Sequence, residues 1–330
     1  MTTVWNGFHS PLAPHIEQYL ASKRAMGCKF ANEDRMLRLL DRFLDEQGIT
    51  SVEAVDAACL EAFMASRRRV NPRSYNHLLG VVRRLFDWIV GQQILRISPL
   101  QARSRPETAR RLPFLFQPET IKQLLIKARA LQDNQRARLR GATYETIFAL
   151  LAALGLRVGE VVRLQCGDID LEREVLEIRD TKFGKSRLVP FGPKLAARLR
   201  CYLAQREAQG YVCASTSFLF TWNGRTHIST NSIRNTLRDV LLPQLTLDVP
   251  DGVFGPHVHG LRHSFAVRTL LNWYRQGVAP SERLHHLSTF LGHINPASTA
   301  VYLTITSELF SAANQRFEAF APILVEEVTP

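Results

Sequence analysis

The segment GDIDLEREVLEIRDTKFGKSRLVPF, residues 167–191, alternates apolar and polar side chains, whereas the sequence on either side repeats its apolar residues at helical spacing. A period of two sends successive side chains to opposite faces of a strand, and a period near 3.6 gathers them into one stripe on a helix. Tight turns at Glu172-Arg173-Glu174 and at Phe183-Gly184 cut the segment into three short antiparallel strands. So brief a sheet between long helical runs predicts a mainly α chain with a small antiparallel β-sheet set into its second part.

The helical runs have recognisable starts and stops. SPLAPHIEQYLASKRAMG opens on Ser and Pro and closes at Gly27; NEDRMLRLLDRFLDEQG aligns Leu37, Leu40 and Leu44 and stops at Gly48. DAACLEAFMASRRR follows an Asp56 cap, and NPRSYNHLLGVVRRLFDWIVGQ places Leu78, Val82, Leu85, Phe86 and Ile89 on one face. Four helices with short links predict a bundle over residues 1–102. Residues 103–112, RSRPETARRL, hold four arginines and little apolar content and read as a basic linker. The second domain, 113–330, continues in helices at PETIKQLLIKARAL and ATYETIFALLAALG, passes through the strands, and returns to helices from GPKLAARLRCYLAQREAQG onward.

Charge narrows the partner. Among 330 residues the net charge is +12 and the pI about 9.9, with the arginine excess spread over most of the length. Such a surface releases condensed counterions when it meets phosphates, so nucleic acid is the first expectation and an anionic membrane surface a weaker one. Arg67-Arg68-Arg69 and Arg83-Arg84 form basic edges on the bundle. No apolar run is long enough to span a bilayer, and no basic-then-apolar leader opens the chain. Five scattered cysteines without a CxxC pair read as reduced thiols, which fits a cytoplasmic protein.

Five places carry chemistry. In LGLRVGEVVRL, Arg157 and Glu160 are three apart, sharing a face if both lie on one helix, and the apolar residues around them make an unpaired guanidinium costly. In TKFGKSRLVPF, Lys182 and Lys185 flank a hairpin turn, where an ammonium can protonate a leaving oxygen. In HVHGLRHSFA, His259 and Arg262 are three apart; His259 and His263 have zinc-like spacing, but Gly260 stands where a HExxH site needs its glutamate, and no metal is expected. His293 follows in LGH, and Tyr302 lies nine residues on; a phenol can act as nucleophile on phosphorus if cations neutralise the other oxygens.

The ordered set GLRVGE, TKFGKSRLVP, HGLRHSFA, LGH and Tyr302 resembles the catalytic domain of the tyrosine recombinases, the phage integrase family, over roughly residues 112 to 310. The N-terminal bundle resembles that family's SAM-like core-binding domain in helix pattern and position. The resemblance implies that Arg157 and Arg262 grip a scissile phosphate, with Glu160 supporting the first arginine. It implies that Lys182 protonates the leaving 5′ oxygen, with Lys185 as its rival. His259 would assist proton transfer at the tyrosine, His293 would donate to a phosphate oxygen, and Tyr302 would be the nucleophile. The activity implied is site-specific cutting and rejoining of double-stranded DNA through a 3′-phosphotyrosyl intermediate, with no metal, ATP or other cofactor. A homotetramer on two duplexes is implied, with room for a related recombinase or accessory factor, in the nucleoid of a bacterium.

Three rival readings carry different consequences. A type IB topoisomerase or telomere resolvase would use the same chemistry on one duplex; an idle helical DNA-binding protein would lack it; a histidine metalloenzyme would be silenced by EDTA. Residues 273–290 are longer than in many relatives and predict an extended helix or loop, with His285 and His286 on the surface. The end of the chain carries an apolar stripe, Phe317, Phe320 and Ile323, suited to docking in cis or in trans.

Overall fold

A computed structural model describes residues 7–28, 30–107, 111–179, 186–293, 295 and 297–304. The chain divides into two compact units, Met1–Arg110 and Arg111–Pro330.

In the first unit α1 (Ala13–Ala25), α2 (Ala31–Glu46), α3 (Ala57–Ser66) and α4 (Pro72–Gly91) surround one core. The residues on the expected stripes, Leu37, Leu40 and Leu44 on α2 and Leu78, Val82, Leu85, Phe86 and Ile89 on α4, are fully buried. Burying each such side chain contributes about 1.5–3 kcal/mol. Asp56 caps α3 by accepting the Cys59 backbone N–H at 2.8 Å, which satisfies one of the helix's unpaired donors. The buried Asp41 carboxylate accepts the backbone N–H of His9 and of Ser10 at 2.9–3.1 Å and ties the start of α1 to α2.

The basic stretch after residue 102 does not hang free of this unit. Arg105 exchanges two 2.8 Å hydrogen bonds with the Asn76 side chain and lays its guanidinium 3.8 Å over the Tyr75 ring. Arg73 meets Glu107 at 3.1 Å. Low apolar content concealed this docking, because the contacts are polar and stacked.

The second unit is built around α6 (Arg140–Leu154), which is apolar almost all round and therefore buried almost all round. It packs against α5 (Pro118–Arg129), α8 (Pro193–Ala208) and α10 (Val258–Arg275). Two residues at Leu112–Pro113, β1, pair in parallel with Val253–Phe254, β5. The three-stranded antiparallel sheet runs in the order β2 (Ile169–Asp170), β3 (Val175–Ile178), β4 (Arg187–Pro190). Its buried side chains, Leu176, Ile178 and Val189, close the core against the helices. The run TNSIRNTLRDVLLPQ starts as α9 (Thr230–Asn235), widens to π-helix over Thr236–Leu241 and ends in a 3₁₀ turn at Leu242–Gln244. α11 (Pro280–Leu291) fills the long interval before LGH and leaves His285 and His286 exposed, as expected. A short α12 (Ala297–Ala300) and a 3₁₀ turn, Val301–Thr304, follow. Among the described residues no helix is long and apolar enough to cross a membrane.

Candidate active site

The first arginine is placed by the end of one helix and the start of another. Gly155 terminates α6 in the left-handed region, φ +59°, and a Cβ there would lie 2.5 Å from the Phe265 ring, so glycine is required twice over. Arg157 is then the N-cap of the short helix α7 (Val158–Val162), with extended backbone. The expectation that Arg157 and Glu160 share a helical face needs correction: Arg157 stands just outside the helix. The pairing survives because Glu160, three residues in, reaches back to the cap. Its Oε2 accepts the Arg157 backbone N–H at 2.9 Å and its Oε1 accepts Arg157 Nη1 at 2.8 Å.

Glu160 also holds a second guanidinium. Arg187, on β4, donates Nη1 and Nη2 to the two Glu160 oxygens at 3.1 and 2.9 Å, and its Nε donates to the Phe290 carbonyl at 2.8 Å. One carboxylate therefore aligns arginines from two elements, and Arg187 extends the network to the end of α11. Burial alone pushes the Glu160 carboxyl up; the bonds and charge of Arg187, then those of Arg157, outweigh it and leave it below the usual carboxylate range.

The helix α10 presents His259, Arg262 and His263 on adjacent turns, with His257 at its N-cap. Arg262 is 1% exposed. Its Nη1 donates to the Gly155 carbonyl at 2.8 Å and its Nη2 to the Leu291 carbonyl at 2.7 Å, so two chain reversals hold it. Its Nε is buried and has no partner among the described residues. Burial and the neighbouring Arg157 bring the Arg262 guanidinium down to about 10.

LGH is a helix stop. Gly292 sits at φ +68° after α11, with Gly292 N–H bonding Thr289 O and His293 N–H bonding Ser288 O, both at 2.9 Å. A Cβ on Gly292 would meet the Arg187 guanidinium at 2.8 Å. The Gly292 carbonyl accepts Arg157 Nη2 at 2.9 Å, and His293 Nδ1 lies 2.7 Å from Thr299 Oγ1. Tyr302, 4% exposed, packs its ring with Ala266, Leu270, Leu287 and Leu291. The hydroxyl is not lost in that cluster: it lies 3.1 Å from His263 Nδ1, and the Tyr302 ring stacks on His293 at 6.3 Å between centroids. Burial pushes the phenol up, while the charge of Arg262 opposes the shift.

Five of the expected residues thus converge: Arg157, His259, Arg262, His293 and Tyr302, with Glu160 behind the first. Lys182 and Lys185 lie outside the described residues. In the first unit Arg68, Arg83 and Arg84 are exposed, Arg83 donates to the Ala102 carbonyl at 3.1 Å, and Arg67 and Arg69 are partly engaged with Leu39 O and Ser74 Oγ. Two residues were missed. Arg187 shares the inward strand face with buried Val189, and a charge on that face needed a partner. His263 is one helical turn from His259, a spacing weighed only for metal. Among the described residues no group of three His, Cys, Asp or Glu side chains is arranged to hold an ion.

Burial and the nearby arginines keep the imidazoles neutral: His259 is lowered to about 3, His263 to about 4 and His293 to about 4. Because these folded values lie below the unfolded value of about 6.5, the unfolded chain binds more protons as pH falls. Stability from these groups is present above pH 6.5 and is lost toward pH 4. The urea midpoint is expected to fall between pH 7 and pH 5, and a pH-independent midpoint would contradict the buried, neutral assignment.

Residues 116–308 match the phage integrase family model. A putative integrase/recombinase, y4rB, of Sinorhizobium fredii is 34% identical over 306 residues, covering 92% of this chain and 96% of that protein. The tyrosine recombinase XerC of Serratia marcescens is 26% identical, covering 93% and 98%. The Tn1549 transposon integrase, solved in complex with a circular intermediate DNA, shares the fold with a TM-score of 0.64 at 17% identity, covering 93% of this chain and 99% of that one. XerH bound to a palindromic difH substrate gives 0.62 at 17% identity, covering 92% and 84%. A family match across more than half of the sequence, and a relative this similar along nearly its whole length, place the chain in the phage integrase family, the tyrosine recombinases.

Proposed function

We propose that this recombinase cuts and rejoins double-stranded DNA at a specific site by forming a 3′-phosphotyrosyl bond at Tyr302. The observation that carries the reading is the convergence of two guanidiniums, three neutral imidazoles and one phenol, brought from four separate segments. Arg157 and Arg262 neutralise the nonbridging oxygens of the scissile phosphate, and the buried Arg262 Nε, without a partner among the described residues, is a donor suited to that anion. His293 donates to the same phosphate, and His259 lies beside Arg262 on α10. Tyr302 attacks phosphorus and frees a 5′ oxygen, which takes its proton from Lys182 or Lys185. The ester bond is exchanged rather than hydrolysed, so no ATP is consumed. Fixed arginine charge supplies the neutralisation that paired metal ions give other phosphoryl-transfer sites.

The first unit reads as the DNA-binding domain, its exposed Arg68, Arg83 and Arg84 meeting phosphates together with the rest of the +12 charge. Four copies on two duplexes make the exchange reciprocal, and the work is done on bacterial DNA in the cytoplasm. The Tn1549 integrase and XerH complexes with DNA support a duplex partner.

A pool of nicked duplexes with randomised sequence tests this reading. The expected product is a covalent protein–DNA adduct enriched for one sequence class, with the attached nucleotide mapped to Tyr302. Adducts on every sequence, with relaxation of supercoiled plasmid, favour a topoisomerase instead.

A further inference from the structure

We propose that His263 is the proton acceptor for the attacking tyrosine, its Nδ1 taking the phenolic proton as the Tyr302 oxygen bonds phosphorus. This rests on Tyr302 being the nucleophile. The contact is direct: Tyr302 Oη lies 3.1 Å from His263 Nδ1, while His259 makes no hydrogen bond to the phenol among the described residues. His259 is packed edge-on against His263, with ring centroids 4.6 Å apart and planes at 83°. His259 therefore sits behind the acceptor. The two rings are one helical turn apart on α10, and of the two only His263 has a hydrogen-bond contact with the phenol among the described residues.

The surroundings suit the role. Facing His263 are Tyr302 from the last 3₁₀ turn, His257 from the helix cap, and His259 and Arg262 from its own helix. None of these carries a carboxylate, and burial, with the positive charge of His257 and Arg262, keeps the ring neutral, lowered to about 4. A neutral ring with its proton on Nε2 leaves Nδ1 free to accept. A bound phosphate brings negative charge beside this cluster and raises the ring's proton affinity at the moment the phenol must ionise.

The step balances. The phenolic O–H bond breaks and an Nδ1–H bond forms. The phenolic oxygen bonds phosphorus, and the 5′ oxygen leaves with its electron pair to be protonated by Lys182 or Lys185. In rejoining, the 5′ hydroxyl attacks, the phenolate leaves, and Nδ1 returns the proton.

His263→Asn is the sharp test, because Asn keeps an acceptor oxygen near the Nδ1 position but cannot carry the proton. The substrate is the duplex recovered from the randomised pool. Single-turnover cleavage is expected to slow about 10²–10⁴-fold, the usual contribution of a positioned base, with duplex affinity and melting temperature unchanged. The remaining rate should rise about tenfold per pH unit, since the phenol must then ionise into solvent. A 5′-bridging phosphorothiolate duplex, whose sulfur leaves without a proton, should not restore the His263→Asn rate but should restore that of a lysine variant. A rate within threefold of the parent, recovery on the sulfur substrate, or the steep pH dependence appearing in His259→Asn instead overturns the proposal. If His263→Asn does not fold, a fluorinated, more acidic tyrosine at position 302 of the otherwise unaltered chain decides. Unchanged or slower cleavage supports a built-in base, and tenfold faster cleavage refutes it. Failure of the underlying reading looks different, because adduct would then map away from Tyr302.

Discussion

Tyr302→Phe is expected to bind duplex DNA as tightly as the parent and to form no covalent adduct at all. The ring is 4% exposed and sits among Ala266, Leu270, Leu287 and Leu291, so phenylalanine keeps nearly all of its packing. What disappears is the oxygen and its contact with His263 Nδ1. Leaving that ring nitrogen unpaired costs about 1 kcal/mol of stability, a small shift in melting temperature. The chemical effect has no such limit, since without the phenolic oxygen there is no atom to bond phosphorus. Two readouts separate the effects: filter binding on the recovered duplex, and a denaturing gel for adduct. A retained adduct would remove Tyr302 from the mechanism and with it the reading of the whole pocket.

Glu160→Ala is expected to cost about 3–5 kcal/mol of stability, the usual penalty for removing one partner of a buried ion pair. The carboxylate is 4% exposed and meets Arg187, whose side chain is 10% exposed, through both oxygens. Without it two guanidiniums face each other with no charge between them. Among the described residues Arg157 retains only its bond to the Gly292 carbonyl. Cleavage should fall by about 10²–10³, as when one oriented donor to the transition state is lost. The pH dependence gives the sign. Glu160 is held below its ordinary value of 4.5, so its contribution is complete above pH 4.5 and is lost as pH falls through the folded value. Parent and variant should therefore converge in urea stability on acidification. A loss under 1 kcal/mol at pH 7 would show that Arg187 and Arg157 are anchored by their carbonyl bonds alone.

Arg187 and His263 show where one-dimensional reading stopped. Each carried a local signal: a charge on an inward strand face, and a second histidine one turn from the first. Neither signal names its partner. Glu160 is 27 residues from Arg187 and Tyr302 is 39 from His263, and no sequence period operates over such distances. The fate of Arg105 is similar, since stacking on Tyr75 leaves no trace in apolar patterning.

What the amino-acid order determined by itself was local and periodic. The stripes of α2 and α4, the change of period at β2–β4, the Asp56 cap and the stops at Gly27 and Gly48 follow from forces acting within about one helical turn or one strand. The ordered motifs also identified the family, because their residue types and sequence order are properties of the string. Only the tertiary structure decided how the charges are shared. It put Arg157 at a cap rather than inside a helix, gave Glu160 two arginines, held Arg262 by the carbonyls of two chain reversals, and set His263 rather than His259 against the phenol. The physical reason is that a buried charge is stable only where distant parts of the chain deliver its partners, and that delivery depends on how α6, α10, α11 and β4 pack.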